Sequence, residues 1–574
     1  MKKRINLILD FNELYRDSAP ESDAIVLSST YENDWTIDVR KFRSDIKDNV
    51  FEYTNAWGNL CANVDPIYKS TLLAVEASFF RSVISPISRW IEAINHCFET
   101  YEVIGIVFTS YSANDKIFVY EAEGEINMYL LYKKHYYLPY YLHEFLKGKN
   151  IGITFVKKVN VLSINFKFYL RNFLIANFII LKQILFKLIT FKRNYATSSI
   201  KDVSNVFSSR AIVQTEFISN YQKANNASAL LVINEQSFRL FKHLKYVKAN
   251  NFSFLYAEGA NTIKNLFSII ATYFRKLNKL SSNNDKAISY QGIDIKCNSF
   301  LKDLLVKELD YTFYSTSVKN VLRKYVPVAD NLRMISFEMF TPYAYYLKKN
   351  TALKTYQIQT TLIEPICNAN FIGGDKFYFT NPIAFESFKA QNLHLADKLD
   401  CIAYLKYMGI KRKEELSAEL KTMCYLTQPI DFDEEQEVID FLEQYASQHN
   451  IRFIIKPHPR QKNIEYKMPG TLLADKFYNL EKLIDESDVV ITRSSSVGLD
   501  AWLYGVPPVY IKLNKTLQAQ SLFYAPNDYI GSVNSLSELE TLLNNYEGLL
   551  HGFKQHKLYN ELNIDLPASK QLFV

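Results

Sequence analysis

The sequence predicts an α/β protein of parallel sheets in two or three packed units, the last of them Rossmann-like, and three observations lead to that class. Short apolar runs of strand length alternate with amphipathic stretches of helical period, the pattern of a sheet covered on both faces. The chain has 574 residues and is 48% hydrophobic, more than one ordinary core can organise. Its last third repeats strand, loop and helix more cleanly than the rest. The first domain is expected over 1–390 and the second over 391–574, with the junction near 385–410. No internal repeat is found.

Composition narrows the class further. Forty Tyr and forty Phe stand against only 16 Gly and 16 Pro, which excludes large disordered or collagen-like regions. A net charge of +7 is mild for this length and argues against a dedicated nucleic-acid binder. The six cysteines are scattered with no C-x-x-C pair, so neither a zinc site nor a disulfide framework is indicated, and a reducing compartment fits.

Met1-Lys-Lys-Arg imitates the start of a secretion signal. The apolar stretch behind it is stopped by Asp10, short of the roughly 7–15 residues such a signal needs. A first buried strand over 5–9 and a cytoplasmic location are the expectations. Further strands are expected over 24–27, 103–109 and 116–120, with helical period clearest over 72–98. Between 147 and 201 the composition changes: eleven Lys or Arg occur and no Asp or Glu. The longest charge-free run inside it, 172–181, is ten residues, where a spanning helix needs about 20. On a helix, Lys167, Arg171, Lys182, Lys192 and Arg193 share one sector of roughly 100°, with Lys187 opposite. A basic stripe beside an apolar face suits an in-plane helix on an anionic membrane surface; the competing reading is a buried helix pair whose lysines reach solvent. Strands over 230–233, 254–257 and 356–360 follow, with a polar break at 281–285.

The C-terminal third carries the chemistry. A strand over 423–426 runs into Thr427-Gln428-Pro429, and a helix begins near Asp433. The strand 451–455 ends in Lys456-Pro457-His458-Pro459-Arg460. The strand 489–492 runs into Arg493-Ser494-Ser495-Ser496 and a helix, and Gly505-Val506-Pro507-Pro508 turns the chain into a strand over 509–512. In open α/β sheets ligands bind beyond the carboxyl ends of strands, and a helix start offers free N–H groups to an anion. Ser494, Ser495 and Ser496 with Lys456, His458 and Arg460 make a cradle for a phosphodiester or pyrophosphate. Taken alone the serines would be ordinary helix caps and His458 an ordinary structural histidine. Asp431-x-Asp433 imitates a metal motif, but it lies at a helix start, where acids cap and complement the dipole.

Lys456-Pro457-His458-Pro459 followed by Arg493 through Pro507 resembles the HP and S/T motifs of bacterial sialyltransferases, polysialyltransferases and the capsule-polysaccharide transferases that use CMP-activated ulosonic acids. The resemblance covers about 90 residues. It implies a GT-B fold, two Rossmann-like domains facing a cleft, here with the basic segment 147–201 inserted in the first. It also implies a CMP-sugar donor held by Thr427, Gln428, Lys456, His458, Pro459, Arg460 and the three serines, with no metal or other cofactor. The acceptor would be a glycan or glycolipid hydroxyl, and the enzyme would sit on the inner face of the cytoplasmic membrane. The family's acid-acid-Gly motif is best matched by Glu121-Ala122-Glu123-Gly124, where Ala122 replaces an acid; either Glu121 or Glu123 would be the general base. Two other readings stay open. CDP-glycerol glycerophosphotransferases share His-Pro and Ser-containing loops of this kind, and a non-catalytic scaffold would tether a polysaccharide-assembly complex to the membrane.

Overall fold

The computed structural model describes residues 2–21, 23–31, 33–39, 42, 56–57, 59–60, 83–115, 137–189, 203–209, 212–225, 229–233, 240–257, 260–282, 287–326, 332–337, 342–359, 372–380, 382–391, 393–402, 412–413, 415–427, 432–458, 471–474, 479–493, 495, 497–511, 513, 529–556 and 559. Strand β1 (Arg4–Asp10) sends Leu7 and Leu9 into one core and Ile8 into another, so both of its faces are covered. Around it lie β2 (Ala24–Ser28), β3 (Thr36–Asp38), α1 (Ser85–Thr100), β4 (Glu102–Phe108), α2 (Tyr137–Leu146) and β5 (Gly152–Phe155). The five strands are parallel in the order β3-β2-β1-β4-β5. Asp10, buried at the end of β1, accepts from the Tyr31 hydroxyl at 2.5 Å, the Thr109 hydroxyl at 2.9 Å and the N–H groups of Asn12 and Tyr15. Burial would raise its pKa; these donors outweigh burial and hold it below the ordinary value.

Helix α3 (Val161–Ile189) leads into a second sheet. Its elements are β6 (Asn205–Ser209), α4 (Ile212–Asn225), β7 (Ala229–Ile233), α5 (Leu240–Ala249), β8 (Ser253–Tyr256), α6 (Ile263–Ser282), the hairpin β9 (Ala287–Tyr290) and β10 (Ile293–Lys296), α7 (Asn298–Tyr325), β11 (Arg333–Phe337), α8 (Pro342–Thr351), β12 (Lys354–Ile358), β13 (Lys376–Phe379), α9 (Pro382–Gln391) and β14 (Leu399–Cys401). Gln291 and Gly292 take φ of 48° and 74°, the two left-handed residues a two-residue hairpin turn requires. Seven strands run in the order β14-β13-β12-β11-β6-β7-β8. The stretch through residue 401 thus holds two separate sheets besides the hairpin, where one Rossmann-like domain was expected over 1–390.

Helix α7 belongs to both. Its first half, through Leu304, Leu305, Leu309 and Phe313, lies in the core of Leu7, Leu9 and Phe108. Its second half, through Tyr314, Val318, Val321 and Leu322, lies in the core of Val206, Leu230 and Met334.

Helix α3 corrects the expected membrane stripe. Arg171 pairs with Asp303 of α7 at 2.6 Å, Lys182 is buried, and Lys187 donates to the Asn261 carbonyl. Lys167 is exposed, while Lys192 and Arg193 lie outside the described residues. The basic side is therefore turned toward the protein at Arg171, where α7 supplies Asp303, and at Lys182, which is buried, and the outward face is apolar. The helix runs 29 residues unbroken, and by length and composition Val161–Leu188 could cross a membrane, with 39% of its most apolar window buried in the protein.

The third sheet comprises β15 (Thr422–Leu426), α10 (Phe432–His449), β16 (Arg452–Lys456), β17 (Leu472–Leu473), α11 (Leu480–Asp485), β18 (Val489–Thr492), α12 (Val497–Tyr504), β19 (Pro508–Ile511) and β20 (Ser532–Val533), closed by α13 (Leu536–Asn544) and α14 (Tyr546–Gln555). Its six parallel strands run β17-β16-β15-β18-β19-β20, with the direction of progression reversing between β15 and β18. Two compact units result: Met1–Thr361 with Cys367–Tyr378 and Leu572–Val574, and Phe379–Gln571 with Leu362–Ile366.

Candidate active site

The three central strands of the third sheet end level. Leu426 of β15 pairs with Lys456 of β16 on one side and with Thr492 of β18 on the other, so their loops leave the same edge side by side. This is the reversal point where α/β sheets hold ligands.

Hydroxyls fasten these loops. Thr427, buried just beyond β15, donates its N–H to the Lys456 carbonyl at 3.1 Å, and its hydroxyl accepts the His458 N–H at 2.9 Å. Lys456 and His458 are half-buried and leave the sheet beside it. Across β15, the Thr492 hydroxyl donates to the Leu426 carbonyl at 3.3 Å and accepts the Ser495 N–H at 3.2 Å. Ser495 then opens α12: its Oγ accepts the Val497 N–H at 3.3 Å and its carbonyl accepts the Gly498 N–H at 3.0 Å. Ser495 thus caps the helix start, and its hydroxyl proton remains a donor by chemistry.

Helix α12 is set by close packing. A Cβ at Gly498 would lie 2.4 Å from the Tyr510 ring of β19, so only glycine lets the helix start reach the strand. Trp502 packs its ring 4.6 Å from Tyr529 and 4.7 Å from Phe553. Gly505, at φ 76°, ends the helix in the left-handed conformation. Below the site, burial pushes the Cys424 thiol well up, more than the Lys456 charge and a hydrogen bond to Ser487 lower it. It is a core residue with no nucleophilic character.

Of the expected ligand-binding residues, the structure brings Thr427, Lys456, His458 and Ser495 to one sheet edge. Gln428, Pro459, Arg460, Ser494 and Ser496 lie outside the described residues, as do both expected bases, Glu121 and Glu123. Sequence reasoning missed Thr492, whose signal is a hydroxyl at the last position of an apolar strand. It also missed the partner of Arg493, which is fully buried with Nη1 2.9 Å from Glu435 in the first turn of α10. Glu435 neutralises Arg493 there. The arrangement sets a lysine, a histidine and a helix start along one sheet edge, groups whose chemistry suits an anion.

No family model matches the sequence, and no curated protein matches it. Among solved structures, the chain is similar to the glycotransferase of kitacinnamycin at 8% identity, covering 62% of this chain and 94% of that one with a TM-score of 0.38. It is similar to UDP-GlcNAc 2-epimerase from Neisseria meningitidis bound to UDP-GlcNAc at 12% identity, over 62% and 94%, with a TM-score of 0.37. The spinosyn rhamnosyltransferase complexed with thymidine diphosphate is 8% identical over 62% and 95%, with a TM-score of 0.36. Likenesses this distant carry no weight for substrate or mechanism.

Proposed function

We propose that the chain is a glycosyltransferase of the GT-B kind that moves a nonulosonic-type sugar from a CMP-sugar to a hydroxyl of a bacterial surface glycan, with inversion and without a metal. One observation carries the reading: the Thr427-fastened His458 loop and the Ser495 turn flank β15 at the reversal point of a six-stranded Rossmann-order sheet. The acceptor oxygen attacks the anomeric carbon, the bond from that carbon to the donor phosphate breaks, and a carboxylate takes the acceptor proton. Lys456, His458 and the start of α12 stabilise the charge gathering on the departing phosphate.

The base is Glu121 or Glu123 on the motif resemblance. The second sheet supplies another candidate. β8 ends at Tyr256, and the sequence continues Ala257-Glu258-Gly259, an acid-glycine pair just past a strand of a sheet with the same central order.

A thermal-shift panel of CMP, CDP, UDP and GDP tests the donor, with stabilisation by CMP alone as the expected outcome. Turnover of CDP-glycerol instead would replace this reading with polymer synthesis from that donor. His458→Ala is expected to lower transfer by about 10²–10³ with folding intact, the scale of losing one group that stabilises developing charge. Whichever of Glu121→Ala, Glu123→Ala and Glu258→Ala lowers transfer about 10²–10⁴-fold identifies the base. Full polymer production by every variant would make the chain a scaffold.

A further inference from the structure

Helix α3 packs along α7 and is held at two places. Arg171, ten residues into the helix, meets Asp303, and Gln183 and Lys187 meet Asn261 near its C-terminal end. Asn261 in turn donates to the Phe313 carbonyl at 3.0 Å and the Ser317 hydroxyl at 2.6 Å, both on α7. The inner face carries Ile164, Phe168, Ala176 and Ile179. The outer face, about 43 Å long at 1.5 Å per residue, is a ridge of exposed apolar side chains. Leu162 is 77% exposed at one end, Leu188 is 74% exposed at the other, and Phe166, Phe173, Phe178 and Leu181 lie between.

Helix α6 packs on α7 too, through the Lys276–Glu308 pair at 2.6 Å, and begins two residues past Asn261. It exposes Ile263, Phe267 and Phe274, with Lys264, Arg275 and Lys279 among them. Neither helix contains an acid. An apolar ridge of this length is far more than isolated surface leucines.

We propose that the outward face of α3, with that of α6 beside its end, docks in the plane of an anionic lipid bilayer. The charge decides the occupant. A symmetric second copy would set Lys167, Lys264, Arg275 and Lys279 against like charges, whereas anionic headgroups neutralise them while the phenylalanines and leucines enter the acyl boundary. The packing decides the orientation. A spanning α3 would have to leave α7 and abandon Asp303 as a buried, uncompensated carboxylate, so the helix lies flat.

The test is vesicle co-sedimentation of the full chain, without nucleotide, on phosphatidylcholine alone and on phosphatidylcholine mixed with phosphatidylglycerol. It stands or falls independently of the transfer reaction. The chain is expected to prefer the anionic vesicles and to be released by high salt. Phe173→Asp with Phe178→Asp is expected to lower binding at least about tenfold with the melting temperature unchanged. Leu162→Asp and Leu188→Asp, each made alone in case the double variant folds poorly, are both expected to weaken binding. Wild-type binding by the Phe variant, or loss at only one end of the helix, would overturn flat docking. A dimer in lipid-free buffer that the Phe variant dissociates would assign the face to a second copy instead.

Discussion

A guanidinium with no exposed surface needs an acid close by, and Arg493 has one in Glu435, itself buried. Residue type alone places an arginine beside serines on a ligand-facing loop, because buried arginines are rare. The motif was therefore legible and the direction of this side chain was not: only the fold brings α10's first turn under β18. The pair fastens the turn that Thr492 and Ser495 build. Arg493→Met is expected to cost about 3–5 kcal/mol, since it strands a buried carboxylate. The double change Arg493→Met with Glu435→Leu is expected to recover most of that loss. Urea unfolding of both variants checks it, and equal instability would mean that the pair is not the source.

At the scale of elements, the C-terminal strands were legible almost residue for residue, because β15, β16 and β18 are short apolar runs bounded by turn residues. The strands β6 and β11 were not: Asn205-Val-Phe-Ser-Ser and Arg333-Met-Ile-Ser-Phe carry polar residues that the sheet buries, Asn205 and Ser209 among them. Helix α3 was legible as a helix, but its faces were misjudged. Apolar residues surround it on all sides, so the charges alone marked an outside, and the acid that turns them inward is 132 residues away in sequence. Helix α12 shows the reverse case, a tight fit written in one residue. Gly498→Ala sets a methyl against the buried Tyr510 ring and is expected to destabilise by about 1–3 kcal/mol. On the proposed function it also shrinks the CMP-induced thermal shift, because the displaced helix start carries the phosphate contact. A full CMP shift in a destabilised variant would separate the helix start from binding.

For the molecule as a whole, the sequence announced alternating strands and helices but not how many sheets they make, since neither strand partners nor sheet breaks leave a local mark. Helix α7 is where the first two sheets become one unit, its halves divided between two cores near Phe313 and Tyr314. Leu305→Ala, in the half that serves the first sheet, is expected to cost about 2–5 kcal/mol. If α7 couples the cores, hydrogen exchange will show β6, β7 and β8 losing protection together with β1 and β4. Faster exchange confined to β1 and β4 would mean that the two cores unfold separately.

That division of α7 also sets an order for synthesis. The five strands of the first sheet are complete by residue 155, yet α7, which completes the core that α1 and α2 begin, ends at residue 325. At ribosomal rates of about 5–20 residues per second, the nascent sheet waits roughly 10–30 s for its covering. Once residue 189 is made, α3 too awaits the partner of its inner face. The first half of this chain is thus made before the helix that joins its two cores.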